Sequence, residues 1–116
     1  MLNVLVIEDD ADARFLVANL LRTVGHTVRE AEHGQHALEI LSIKGWLPHV
    51  IVLDVAMPVM DGLTFLARKR QLDELSAIPV IIVSATARGP IEDACCLLPK
   101  PVDPEVLLDA VLQFAA

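Results

Sequence analysis

The sequence predicts an α/β fold, a doubly wound open sheet of parallel strands covered by helices on both faces. Short β-branched runs that are apolar throughout alternate with longer stretches of helical periodicity, as expected of strands buried between two helix layers. Hydrophobic residues make up 54% of the chain and aromatic residues only 3%, so Val, Leu, Ile and Ala must build the interior. Right-handed crossovers between parallel strands then wind the sheet in both directions. The length of 116 residues suits one domain, taken as 1–116, with no internal repeat, low-complexity segment or linker.

The elements follow in order. Leu2 to Ile7 reads as a buried first strand by length and composition. Asp12 to Val24 carries an apolar stripe through Phe15, Leu16, Leu20 and Val24, with Val17 and Leu21 beside it, and stops at Gly25. His26 to Glu30 is a short second strand. Gln35 to Ile43 is a second helix, entered at Gly34, where the backbone must turn, and followed by Gly45. His49 to Leu53 is a third strand that ends at Asp54, and Gly62 to Leu72 a third helix. Pro79 to Val83 runs into Ser84, and Cys96 to Leu98 forms a brief fifth strand that ends near Lys100. Asp103, Pro104 and Glu105 give an N-cap, an N1 proline and an acidic first turn for a last helix running nearly to Ala116.

Charge and composition exclude several functions. The net charge of −7 repels DNA and anionic lipid. Arg68, Lys69 and Arg70 are read as a solvated helix face. No apolar run approaches the length of a bilayer span and no signal-peptide pattern follows Met1, so a soluble, cytoplasmic protein is expected. Cys95 and Cys96 are neighbours, which disfavours a disulfide, and two ligands alone make no zinc site. They are expected as small apolar residues of a buried strand.

In a sheet of this kind, ligands bind beyond the carboxyl ends of the strands. The polar residues there are Glu8, Asp9 and Asp10 after the first strand, Asp54 after the third, Ser84 after the fourth and Lys100 after the fifth. Two carboxylates about 5 Å apart repel by roughly 3 kcal/mol at an effective dielectric near 20, so such a cluster demands a cation. Lys100 supplies one charge, and a hard divalent ion with oxygen ligands, Mg²⁺, suits the remainder. Acidic residues at strand ends also serve as helix N-caps, which explains any one of them but not the whole set.

These pieces, in order, resemble the receiver domains (CheY-like) of bacterial two-component response regulators. The resemblance runs through Val4-Leu5-Val6-Ile7-Glu8-Asp9-Asp10, Leu53-Asp54-Val55-Ala56-Met57-Pro58-Val59-Met60-Asp61-Gly62, Val83-Ser84-Ala85 and Lys100-Pro101, with Ala31 to Leu38 similar to the start of the family's second helix. It implies a five-stranded, flavodoxin-like order 2-1-3-4-5. It further implies that Asp54 is the phosphoryl acceptor, and that Asp9, Asp10, Asp54 and the main-chain carbonyl of Ala56 hold Mg²⁺. Ser84 would hydrogen-bond a phosphoryl oxygen and Lys100 would pair with the phosphorylated Asp54. A cis peptide before Pro101 is also expected. The implied donor is a histidine kinase or histidine phosphotransfer protein, the target an unspecified downstream protein. On this reading the chain is a phosphoacceptor regulator and not a turnover enzyme, either stand-alone or part of a longer regulator.

Two departures fall on the family's output face. The stretch from Ser84 to Lys100 is several residues shorter than in typical receivers, with Gly89-Pro90 as a break, so a shortened or displaced fourth helix is expected there. Leu97 stands where the family usually carries Tyr or Phe, and the chain has no Tyr. The last helix is apolar outside the line Glu105, Asp109 and Gln113, more than one sheet contact needs, which raises a homodimer through the fifth-strand and last-helix face. Two other classes remain open: a receiver-like scaffold that binds a partner without phosphorylation, and an aspartate-based phosphohydrolase. The second is disfavoured because Ala56 occupies the place of that class's acid/base Asp. His33 and His36 are read as surface residues, His26 and His49 as strand starts, and Trp46 with Pro48 as loop packing.

Overall fold

The computed structural model describes residues 1–54, 62–85 and 94–115. In chain order the elements are β1 (Asn3–Ile7), α1 (Ala11–Thr23), β2 (Thr27–Ala31), α2 (Gly34–Leu41), β3 (Val50–Asp54), α3 (Gly62–Arg70), the single turn α4 (Asp73–Ser76), β4 (Val80–Ser84), β5 (Cys96–Pro99) and α5 (Pro104–Phe114). The strands form one sheet in the order β2-β1-β3-β4-β5, and every pairing is parallel. The expected flavodoxin-like order therefore holds. The shortened fourth helix expected between Ser84 and Lys100 falls on 86–93, outside the described residues.

Alternation along the strands divides the interior into two cores. Leu5 and Ile7 of β1, Ile51 and Leu53 of β3, and Val80 and Ile82 of β4 face the first core, with Ala37, Leu41, Phe65, Leu66 and Leu75 from α2, α3 and α4. Val4, Val6, Val50, Val52, Ile81 and Val83 face the second, with Ala18 and Leu21 of α1 and Leu107, Ala110 and Val111 of α5. Each central strand is apolar on both faces because each face meets helices.

Caps explain where the helices begin. Asp10 accepts from the N–H of Asp12 (2.9 Å) and Ala13 (3.5 Å) at the start of α1. Asp103 accepts from the N–H of Glu105 (2.9 Å) and Val106 (3.3 Å) ahead of Pro104 in α5. These satisfy amide donors that have no partner inside the helix. Gly25, with φ of 99°, ends α1 in a left-handed turn.

Three readings of the sequence are corrected. In α1, Phe15 and Leu16 are 57% and 69% exposed and Val24 just after it 52%, and the helix buries Ala18 and Leu21 instead. The helix is apolar on more than one side, so periodicity could not choose its buried face. Lys69 is not a solvated residue: it is buried, and its Nζ donates to the Ser76 carbonyl at 3.3 Å, linking α3 to α4. The two cysteines are not in a covered strand: Cys96 opens the edge strand β5 and is half-buried, Cys95 just before it is exposed, and both are free. The histidines serve the backbone. His33 Nδ1 caps α2 by accepting from the His36 N–H, while His26 and His49 accept from the N–H of Leu2 and Asn3. No helix among the described residues is long and apolar enough to cross a membrane.

Phe65 is fully enclosed against the sheet in the first core. Replacing it with Ala should cost about 3–5 kcal/mol through lost transfer energy and a residual cavity. Urea unfolding of the pair would show this as a lower midpoint at unchanged slope.

Candidate functional site

Parallel register brings the polar ends of four strands to one rim. Ile7 of β1 pairs with Leu53 of β3, so Glu8 leaves its strand level with Asp54. Asp54 pairs with Val83, and Ser84 with Pro99, which carries the rim on to Lys100. The Lys100 N–H continues the ladder by donating to the Ser84 carbonyl at 3.0 Å. The expected cis peptide between Lys100 and Pro101 is present.

Side-chain contacts close the cluster. Lys100 Nζ donates to Glu8 Oε1 at 2.6 Å and to Asp54 Oδ2 at 3.4 Å. Glu8, Asp54 and Ser84 are buried, and Asp9 is exposed. One oxygen from each of Glu8, Asp9 and Asp54 lies within 4.8 Å of the others. Three hard oxygen donors at this separation, one of them open to solvent, are suited to a cation such as Mg²⁺, which retains part of its water shell.

Asp10 is a different matter. Its carboxylate caps α1, and it does not join the group that Glu8, Asp9 and Asp54 form. The sequence reading paired Asp9 with Asp10 as ion ligands; the structure groups Asp9 with Glu8 and Asp54, while helix α1 starts at Ala11 and takes Asp10 for its own N-terminus. The signal for Glu8 was legible as the first residue beyond an apolar strand. Ala56, expected to offer a main-chain carbonyl, lies outside the described residues, as do Met57, Pro58, Met60 and Asp61.

The electrostatics follow from crowding. Burial pushes the Glu8 carboxyl up to about 7, and its contacts with Asp54 and Asp9 act in the same direction; the Lys100 ammonium opposes them without prevailing. Burial alone would pull Lys100 down, but the hydrogen bond and charge of Glu8, then Asp54, outweigh it and hold the ammonium above its ordinary value. The two directions are compatible: one ammonium faces several carboxylates, so it is strongly held while they remain under-compensated.

A pH dependence results. Below 4.5 Glu8 is protonated folded or unfolded, while from 4.5 to about 7 only the unfolded chain releases its proton. The folded state then binds more protons, so its advantage shrinks as pH rises through this window. His26, lowered by burial, acts oppositely, losing stability as pH falls. In chelator-treated protein, wild type should therefore lose roughly 1–3 kcal/mol relative to Glu8→Gln between pH 5 and 7.5. Denaturant unfolding of both proteins across that range checks the sign.

Comparison with known proteins places this geometry. The family model for the response regulator receiver domain matches residues 4–112. The two-component response regulator ORR3 of Oryza sativa is 34% identical, the match covering 88% of this chain and 82% of that protein. An uncharacterized 14.6 kDa protein of Leptolyngbya boryana is 36% identical over 97% of this chain and 89% of its own length. The chemotaxis protein CheY4 of Vibrio cholerae superposes with a TM-score of 0.87 at 28% identity, covering 98% of each chain. Receiver domains are signalling regulators with an acidic pocket for Mg²⁺, a description met by the group at the rim of this sheet. The chain belongs to the response regulator receiver domains of two-component signalling.

Proposed function

We propose that the chain accepts a phosphoryl group on Asp54 from a histidine kinase or histidine phosphotransfer protein in a Mg²⁺-dependent step. The observation that carries this reading is the Lys100 ammonium set between Glu8 and Asp54, with Asp9 completing the carboxylate group. Phosphoryl transfer needs an aligned nucleophile and compensated charge more than covalent assistance. A carboxylate needs no general base, so an Asp54 oxygen forms the new bond to phosphorus as the bond to the donor imidazole breaks. Glu8, Asp9 and Asp54 would hold Mg²⁺, with the Ala56 carbonyl as a further ligand by family resemblance. When bound, that ion offsets the negative charge of carboxylates and phosphoryl oxygens together. Lys100 keeps a second positive charge beside the acceptor, and Ser84, at the end of the neighbouring strand, is the hydroxyl that would report the new oxygens.

Asp54→Asn should abolish labelling by acetyl phosphate and binding of beryllofluoride. It should retain the wild-type thermal midpoint or exceed it, since it removes one of the crowded carboxylates. Undiminished labelling would move the acceptor elsewhere.

A receiver that binds its partner without phosphorylation is the second reading, favoured by Leu97, which is half-buried against the first core where the family usually has an aromatic ring. Amide shifts on adding Mg²⁺ and beryllofluoride separate the two: a working switch carries them to β5 and α5, mere binding confines them to the rim. The phosphohydrolase reading lacks an acid/base carboxylate at position 56, and steady release of phosphate from small phosphoesters is not expected.

Val106 and Leu112 on α5 are exposed, which supports self-association through the β5 and α5 face. Light scattering at tens of micromolar should detect dimers when beryllofluoride is added; a monomer in both states refutes this.

A further inference from the structure

Glu8 stands one residue beyond β1, and each of its polar main-chain atoms is held. Its N–H donates to the Ala31 carbonyl at 3.1 Å, and its carbonyl accepts from Arg14 Nη1 at 2.9 Å. That carbonyl belongs to the planar peptide joining Glu8 to Asp9. Fixing its oxygen fixes the rotation of the plane, and with it the direction in which Asp9 leaves the strand. Arg14 thereby controls the relative placement of two of the three carboxylates in the site.

Arg14 is itself anchored. Its Nε pairs with Glu30 Oε1 at 3.3 Å, and its side chain is only 15% exposed. The other oxygen of Glu30 takes Arg22 Nη1 at 2.9 Å, and Arg22 Nη2 donates to the Val28 carbonyl at 2.9 Å. The brace runs from the rim through α1 to the edge strand β2. Arg14 spends its charge on Glu30, so its service to the site is geometric. A planar guanidinium can serve the carbonyl and the carboxylate together, which a lysine ammonium does poorly.

We propose that Arg14 is a positioning residue for the acidic site, holding the Glu8–Asp9 peptide so that both carboxylates face Asp54, and thereby setting the affinity for Mg²⁺. This rests on the reading above that the site takes Mg²⁺. Supporting contacts behind metal ligands typically alter affinity 10- to 100-fold.

The test is an NMR titration of the whole chain with MgCl₂, following the amides of Asp9 and Asp54, with thermal midpoints recorded alongside. Arg14→Met should raise the Kd for Mg²⁺ by about 10-fold or more. Arg14→Lys should fall between it and wild type, and carries the test alone if Arg14→Met does not fold. Arg22→Met breaks the far end of the same brace; it should lower the thermal midpoint and leave the Kd unchanged. With acetyl phosphate, the Mg²⁺ concentration for half-maximal labelling of Arg14→Lys should rise while the rate at saturating Mg²⁺ returns toward wild type. Wild-type affinity in the Arg14 variants, or equal weakening in Arg22→Met, overturns the positioning role and leaves the metal reading standing. Wild type that binds no Mg²⁺, or Asp54→Asn that binds it undiminished, overturns the metal reading and this role with it.

Discussion

Two buried carboxylates, Glu8 and Asp54, meet at the rim of a sheet whose central strands β1, β3 and β4 are apolar through their middles, and Lys100 reaches both. Removing such charges from water is costly unless an opposite charge and hydrogen bonds replace the lost hydration. One ammonium does this only in part, as the raised Glu8 carboxyl indicates. The remaining deficit suits the site to a cation and leaves the Asp54 carboxylate in surroundings that favour positively charged company.

The architecture isolates that deficit. Side chains of β1, β3 and β4 alternate between two apolar cores, so neither face of the sheet can take a charge. Only at the carboxyl ends, where the strands stop nearly level, can polar groups from several strands meet without being enclosed by hydrocarbon. Helix starts compete for the same residues. Asp10 and Asp103 serve α1 and α5 as caps, while Asp9, one position earlier, faces the site.

The edge formed by β5 and α5 leaves apolar groups in contact with solvent. β5 is an edge strand of half-buried Cys96, Leu97 and Leu98, and α5 leaves Val106 and Leu112 in contact with solvent. A receiver converts chemistry at the rim into a change at such a surface. Leu97 lies on that edge strand, half-buried against the first core.

The strand-helix alternation, the parallel sheet and the residues at the strand ends were legible in the amino-acid order because each depends on local pattern: apolar runs, caps, and polar residues just past a strand. Lys100 and Asp54 could be singled out on these grounds alone. What only the tertiary structure decided were choices between equivalent candidates. Of three consecutive acids, it assigned Glu8 and Asp9 to the site and Asp10 to a helix terminus. Of two apolar sides of α1, it buried Ala18 and Leu21 and exposed Phe15 and Leu16. It buried Lys69 within a basic triplet, and it joined Arg14 to Glu8 and Glu30 across three elements. Local periodicity is blind to these outcomes because each depends on the distance to a partner remote in the chain.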